Sequence, residues 1–431
     1  MSTTHSPGLP QPPVPDNEVA FSPQPKRAAP APRPEPAAPA KPKPLAEKVA
    51  EARKSRTDKQ CRVTLALVMK NEAKSIATLI RSCANLAQHV YLYDTGSTDG
   101  TQALAKKVAR ELGMGCTVAQ GVFEDFAQAR NACLEGAEKI ADFCLMLSGD
   151  ERLDDDRPIF HAINVFSVDP DMPGAYELKV RLGSILFSSP RLFRSDAHLR
   201  YVGPAHEYVD ARDWGLQPIH GVTVIHERPH DPEGMKRTWE NHLRLLGSEV
   251  EKPDCAPRWV YYFGQTFDCL GRHAEAIDWY EKRIALHTER PAHSMFEEVF
   301  EAALKIARCR VAMDAPDDVV REAFLRAHRL SPHRAEPLYW CAEYLRGKGQ
   351  LIDSALYAAG AYARSKTLPG DRLFVDAEIY AFKAAELCGI VAWYAGDFET
   401  GFEAAKAACA KHPEVPHLVA NVEHYRKRLG R

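Results

Sequence analysis

The sequence has no paired cysteines. Its eleven cysteines are scattered singly, without a Cys-x-x-Cys pair or the His/Cys spacing of a zinc site. That excludes a disulfide framework or a cysteine-built structural metal, and reads as reduced core thiols in a cytoplasmic protein. Neither a P-loop nor a Gly-x-Gly-x-x-Gly fingerprint is present, which argues against kinase and dehydrogenase chemistry. Charge of either sign is nearly balanced, with 56 Lys and Arg against 58 Asp and Glu. Without a basic body the chain is a poor duplex binder, so nucleic acid is disfavoured as a partner. The first residues carry no signal-peptide apolar core, and no uninterrupted apolar run reaches the roughly 18–20 residues of a membrane span. A soluble chain with no transmembrane segment is expected.

What is present points to a globular protein of two or three domains: 431 residues, 45% hydrophobic and 26% charged. Residues 1–44 concentrate nearly half of the 31 prolines, mixed with Ala, Lys and Arg. Such a stretch buries too little apolar surface to offset its ordering entropy, which predicts a disordered tail and linker over residues 1–59. Leu45–Lys59 within it reads as helical and basic. The tail is a solvated linker or a tether to a partner or anionic surface.

From Arg62 onward strands and helices alternate. Val63–Met69, His89–Asp94, Cys116–Gln120 and Phe143–Leu147 read as strands, and Lys74–Leu86, Thr101–Leu112 and Phe126–Lys139 as helices. Strict alternation implies a parallel, doubly wound sheet whose ligand crevice lies beyond the carboxyl ends of the strands. The polar residues following each strand become the site candidates. They are Lys70-Asn71-Glu72, the loop Asp94–Gly100 and the turn Ser148-Gly149-Asp150-Glu151. The last is the centre of the chain, because a buried strand ending at paired carboxylates presents oxygen ligands to a metal or charged substrate. The Asp94–Gly100 loop alone reads more readily as a capped helix start.

Taken in order, KNEAKSI, YDTGSTDGT, FEDFAQARN and LMLSGDERL resemble the nucleotide-binding half of a family-two glycosyltransferase. The later RLFR (Arg191–Arg194) and VGPAHEYV (Val202–Val209) resemble its acceptor side. The resemblance implies an α/β GT-A fold, a Rossmann-like mixed sheet, over residues 60–235, with a UDP-sugar as donor and Mn²⁺ or Mg²⁺ as cofactor. Asn71, Glu72, Asp94, Asp125, Arg130, Asn131 and Ser148 would then line the nucleotide-sugar site. The family's acidic triplet begins with aspartate where this chain has Ser148, whose hydroxyl bonds a ribose but brings no charge. Asp150 would hold the metal and His206 would complete its shell. Glu207, or else His206 or Glu151, would be the catalytic base. His226, in PIHGVTVIHE, matches a histidine often found near the end of that domain.

Strand signals vanish after about Arg237. Arg258–Leu286 carries Gly264, Gly271, Ala276 and Tyr280 at tetratricopeptide offsets, with weaker copies at Ala303–Pro332, Tyr339–Lys366 and Ala385–Pro413. An all-α tetratricopeptide-like repeat domain is expected over residues 236–431. Stacked repeats leave a concave groove suited to a peptide or protein acceptor, or they buttress or dimerise the catalytic half. The reading is an inverting hexosyltransferase acting on a peptide or protein side chain. The alternatives are a repeat scaffold with a degenerate transferase domain, and the same enzyme acting on a glycan or a modified nucleic-acid base.

Overall fold

The computed structural model describes residues 61–166, 173–211, 214–227, 231–289 and 295–431. The expected tail and its basic helix therefore lie outside the described residues. The first half is built on a nine-stranded sheet. Strands β1 (Val63–Met69), β2 (His89–Asp94), β3 (Gly115–Gln120) and β4 (Phe143–Ser148) follow the predicted positions closely. They pair in parallel in the order β3-β2-β1-β4. Val63, Leu65, Ala66, Leu67, Leu145, Met146 and Leu147 are all fully buried. Continuous apolar runs of this kind suit parallel strands covered on both faces. Helices α1 (Ile76–Ser82), α2 (Thr101–Glu111) and α3 (Phe126–Ala137) connect them, and α4 (Arg157–Phe166) follows the short strand β5 (Glu151–Leu153).

The all-parallel expectation from strand–helix alternation fails beyond β4, and the sheet is mixed, as the family resemblance implied. β6 (Ala175–Leu182) and β7 (Ile185–Arg194) form an antiparallel hairpin. Only Gly183 and Ser184 separate them, and Gly183 has φ 59°, the left-handed conformation that a two-residue hairpin turn requires. β7 runs antiparallel to β4, and β10 (Leu216–His226) lies parallel to β6 and antiparallel to β5. Between them, β8 (Tyr201–Val202) and β9 (Tyr208–Val209) make a separate two-stranded ribbon.

The second half is helical. After α5 (Pro232–Val250), helices pair as α6 (Pro257–Cys269) with α7 (His273–Glu289), and α8 (Phe296–Ala312) with α9 (Asp317–Leu330). They continue as α10 (Glu336–Gly347) with α11 (Leu351–Ser365), and α12 (Ala384–Ala395) with α13 (Phe398–Lys411), ending at α14 (Pro416–Leu429). These pairs cover the four predicted repeat units. Small residues allow the close crossings: a Cβ on Gly389 would meet the backbone of Ala405 at 3.1 Å. The array also completes the sheet, because β11 (Val375–Asp376) pairs antiparallel with Leu186 and Ile185 of β7. No described helix is long and apolar enough to cross a membrane.

Candidate active site at the carboxyl ends of the parallel strands

Strand register gathers the candidate residues. Met69 pairs with Asp94 and Val68 with Ser148, so the loops after β1, β2 and β4 emerge side by side. The first two are laced together. Asn71 N donates to Ser97 Oγ (2.9 Å), Glu72 N to Thr101 Oγ1 (2.8 Å), and Ala73 N to Asp99 Oδ2 (2.9 Å). In return Thr98 N donates to Asn71 Oδ1 at 2.8 Å. Asn71 has φ 61°, an uncommon conformation for a residue other than glycine, which Asn tolerates better than most. Asp94 is buried and accepts from Ser97 N at 3.1 Å, and also from Ser97 Oγ and Gln102 Nε2.

Glu72 reaches across to the acidic turn: a Cβ on Gly149 would lie 2.5 Å from Glu72 Cγ. Burial, and then the neighbouring Asp150 and Asp99, push the Glu72 carboxyl above its ordinary range against the opposing hydrogen bond from Ser75. Asp150 Oδ2 lies 2.8 Å from His226 Nε2. The pairing of His226 with Glu151 across β10 and β5, and the bond from Glu227 N to Asp150 O (2.9 Å), set that contact.

A buried cluster of charge lies beside this turn. The Arg130 guanidinium donates to Ser148 Oγ at 3.1 Å, forms an ion pair with Glu207, and lies over the Tyr201 ring at 5.3 Å. Burial alone would lower the Arg130 pKa, but Glu207, Tyr201 and Glu151 outweigh it and hold the group charged. Glu151, 3% exposed, accepts from Ser148 N (2.8 Å) and from Arg191 Nη2 (2.5 Å). Tyr201, whose phenol is buried, is pushed up to about 12 chiefly by that burial, with Arg130 and Arg191 pulling the other way.

The other candidates sit differently. Asp125 caps α3, accepting from Gln128 N at 2.7 Å. Asn131 brackets the backbone of Tyr201, donating to its carbonyl (2.9 Å) and accepting from its N–H (2.7 Å). His206 adopts φ 51°, and its ring stacks on Tyr262 of the helical half, 3.9 Å between centroids and 7° from parallel. His226 is in contact with Asp150. Sequence reasoning left Arg191 without a role, although RLFR marked the stretch. Nothing in the sequence context of Tyr262 singled it out.

Among the described residues, Asp268, His273 and Cys309 form a second group of metal-capable atoms, all within 4.8 Å of one another. Asp268 accepts from Cys309 Sγ (3.3 Å) and bonds His273 Nδ1 (3.0 Å), and Lys305 Nζ lies 3.8 Å away. Burial and Asp268 push the thiol above its ordinary range. The trio thus carries its own cation and hydrogen bonds.

Residues 64–158, which contain the laced loops and the acidic turn, match the description "Glycosyl transferase family 2". This segment is a family 2 glycosyl transferase domain. The chain is 29% identical over 161 residues to a TPR repeat-containing protein of Synechococcus elongatus, covering 36% of this chain and 37% of that one. It is 21% identical over 230 residues to the SPbeta prophage-derived glycosyltransferase SunS of Bacillus subtilis, covering 52% and 53%. The chain therefore spans about half or less of the length of these relatives. Among solved structures, a Pyrobaculum calidifontis mannosyltransferase in complex with GDP-Man and Mn²⁺ aligns with TM-score 0.34 and 14% identity, over 61% of this chain and 94% of that one. MamA aligns with TM-score 0.31 and 15% identity, over 43% and 98%. Within the family 2 domain the sheet supplies Asn71, Glu72, Asp94 and Asp150, while His226 and Glu207 come from beyond residue 158.

Proposed function

We propose that the chain is an inverting glycosyltransferase that moves a sugar from a UDP-sugar to a peptide or protein side chain held partly by the helical array. The observation that carries this reading is the meeting of Asp150 and His226 at 2.8 Å, beside Glu72, at the carboxyl ends of parallel strands. That is where open α/β sheets take their ligands. The family 2 match and the similarity to SunS support the transfer chemistry.

The donor set fits a divalent cation. Mg²⁺ and Mn²⁺ are held by one or two carboxylates together with substrate phosphates rather than by a complete protein cage. Asp150 with His226 supplies such a partial set, and Glu72 deepens the negative potential that attracts the ion. The cation, when bound, neutralises the diphosphate that leaves with the nucleotide. Asn71, Glu72 and Asp94 lie along the laced loops as the nucleotide-facing surface. Ser148, fixed by Arg130, offers a neutral hydroxyl where a ribose would lie.

Inversion is one in-line displacement and needs one base. Glu207 is assigned that role, with Arg130 fixing the carboxylate through their ion pair. Glu151 is engaged through both oxygens and acts by shaping the turn. Asp125 and Asn131 act on α3 and Tyr201, one step behind the ligand surface.

The test is calorimetric binding of UDP with and without Mn²⁺, to the full chain and to Asp150→Ala and His226→Ala, followed by turnover of a UDP-sugar panel. Metal-dependent UDP binding that both variants lose is the expected result. Absence of UDP binding in either condition would overturn the transferase reading and leave a repeat scaffold.

A further inference from the structure

The segment Gly203–Glu207, which ends at the proposed base, packs against the helical half. Gly203 has φ 102°, and a Cβ there would meet the Trp259 ring at 2.6 Å, so the chain passes flush against α6. Ala205 is fully buried in the same apolar cluster as Leu246, Val260 and Tyr261. The His206 ring stacks on Tyr262 of α6 and meets the His242 ring of α5 edge-on at 4.9 Å. From the catalytic half come the bond from Phe126 N to Pro204 O at 3.1 Å, the Arg130–Glu207 ion pair and the pairing of Val202 with Tyr208 on either side of the segment.

Arg258 ties this segment to the repeats. Its Nε donates to the His206 carbonyl at 3.0 Å and its Nη1 to Glu298 Oε1 at 3.1 Å, while its guanidinium lies 4.7 Å from the Tyr262 ring centroid. Glu298, 1% exposed, is gripped on its other oxygen by Arg283 Nη2 at 3.0 Å, and Arg283 also donates to Met295 O at 2.9 Å. The path Arg283–Glu298–Arg258–His206 O therefore runs from α7 and α8 to the peptide preceding Glu207. Each buried charge has a partner, which such burial demands. The guanidinium fork makes the link directional, since one planar group fixes two acceptors at once. His206 keeps its left-handed backbone, strained for a residue other than glycine, only because this surround over-determines it.

We propose that Arg258 is a positioning residue for the His206–Glu207 segment, so that the first repeats form part of the catalytic unit rather than an appended docking arm. The inference rests on the transferase reading, because it assigns the segment's position to the base. A misplaced base lowers turnover while leaving in place the Asn71, Glu72 and Asp94 loops, which follow β1 and β2.

The experiment uses the full chain and compares Arg258→Lys, Arg258→Ala and the isosteric Glu298→Gln. Its readouts are calorimetric affinity for UDP with Mn²⁺, melting temperature, and kcat and KM for release of sugar to water from whichever UDP-sugar the wild type consumes. Arg258→Lys keeps the charge but cannot reach both acceptors. It should melt near the wild type and bind UDP within about twofold, yet lose about tenfold or more in kcat with little change in KM. Glu298→Gln should lose kcat in the same sense. Wild-type kcat in Arg258→Lys and Glu298→Gln would overturn the positioning role while leaving the transferase reading intact. A kcat that merely follows melting temperature across the three variants would also overturn it, since that is the mark of a general structural contact. A wild type that neither binds UDP nor consumes any UDP-sugar removes the transferase reading and the proposal with it, and UDP binding alone separates these failures.

Discussion

His226 Nε2 and Asp150 Oδ2 lie 2.8 Å apart although 76 residues separate them in the chain. The contact is set by backbone pairing: β10 runs antiparallel to β5, placing His226 opposite Glu151 and next to the Asp150 carbonyl. Once the strands pair in this register, the imidazole has little freedom to be elsewhere.

That geometry predicts a shared phenotype for the two residues. Asp150→Ala and His226→Ala should each weaken Mn²⁺-dependent UDP binding by about tenfold or more. His206→Ala should weaken it less than either, its ring lying against Tyr262 and His242. Titration calorimetry on the three variants gives the comparison, and a His206 variant as impaired as His226→Ala would refute the assignment of the metal-side histidine.

As the proposed base, Glu207 would have a second function separable from its ion pair with Arg130. Its side chain and that of Arg130 are only 11% and 13% exposed, so truncation leaves a buried cation without its partner. Glu207→Ala should cost about 3 kcal/mol in denaturant unfolding. Glu207→Gln, which still accepts a hydrogen bond from the guanidinium, should cost less while losing turnover and keeping UDP binding. Retained turnover in Glu207→Gln would move the base to another residue.

How far the chain could be read in advance depends on the range of the interaction. The parallel strands were legible because burial on both faces leaves uninterrupted apolar runs such as Val63–Met69, and helices with their own periodicity separate them. The position of the turn Ser148–Glu151 was legible because it follows directly on the apolar run Phe143–Leu147. The β6–β7 hairpin was not, since a Gly-Ser turn reverses the chain where strand–helix alternation predicts a crossover. His226 and Arg258 needed partners that only the fold supplies: a strand register in the first case, and Glu298, 40 residues away, in the second. Asp125 and Asn131 lie in a motif that was recognised, and their side chains bond the backbone of Gln128 and Tyr201, contacts that the motif alone does not reveal.

Glu72 makes stability depend on pH with a definite sign. Burial beside Asp150 and Asp99 raises its folded pKa above the unfolded value. Its favourable contribution is therefore complete below the unfolded pKa and is lost as pH rises through the folded one. Glu72→Gln keeps an oxygen for Ser75, whose hydroxyl donates to Glu72 Oε2 at 2.6 Å, but removes the charge. The variant should melt higher than the wild type at about pH 7, and the advantage should shrink as pH falls into the ordinary glutamate range. Equal melting temperatures at about pH 7 would show that the carboxylate is not disfavoured there.

Gly203 tests the junction between the two halves without touching a charge. Its φ of 102° and the 2.6 Å approach of the Trp259 ring to a built Cβ leave alanine both strained and crowded. The ring is anchored on α6, so relief must come from the Gly203–Glu207 segment, which carries His206 off Tyr262 and Glu207 off Arg130. Gly203→Ala should lower stability by about 2 kcal/mol or more. Gly203→Ala with Trp259→Phe, which removes part of the indole, should recover some of that loss, whereas independent sites would simply add. Turnover should fall in the single variant, while UDP affinity should hold in both because the proposed nucleotide residues Asn71, Glu72 and Asp94 follow β1 and β2 and not this segment. Additive unfolding energies across this cycle would mean that Trp259 does not set the path of the segment.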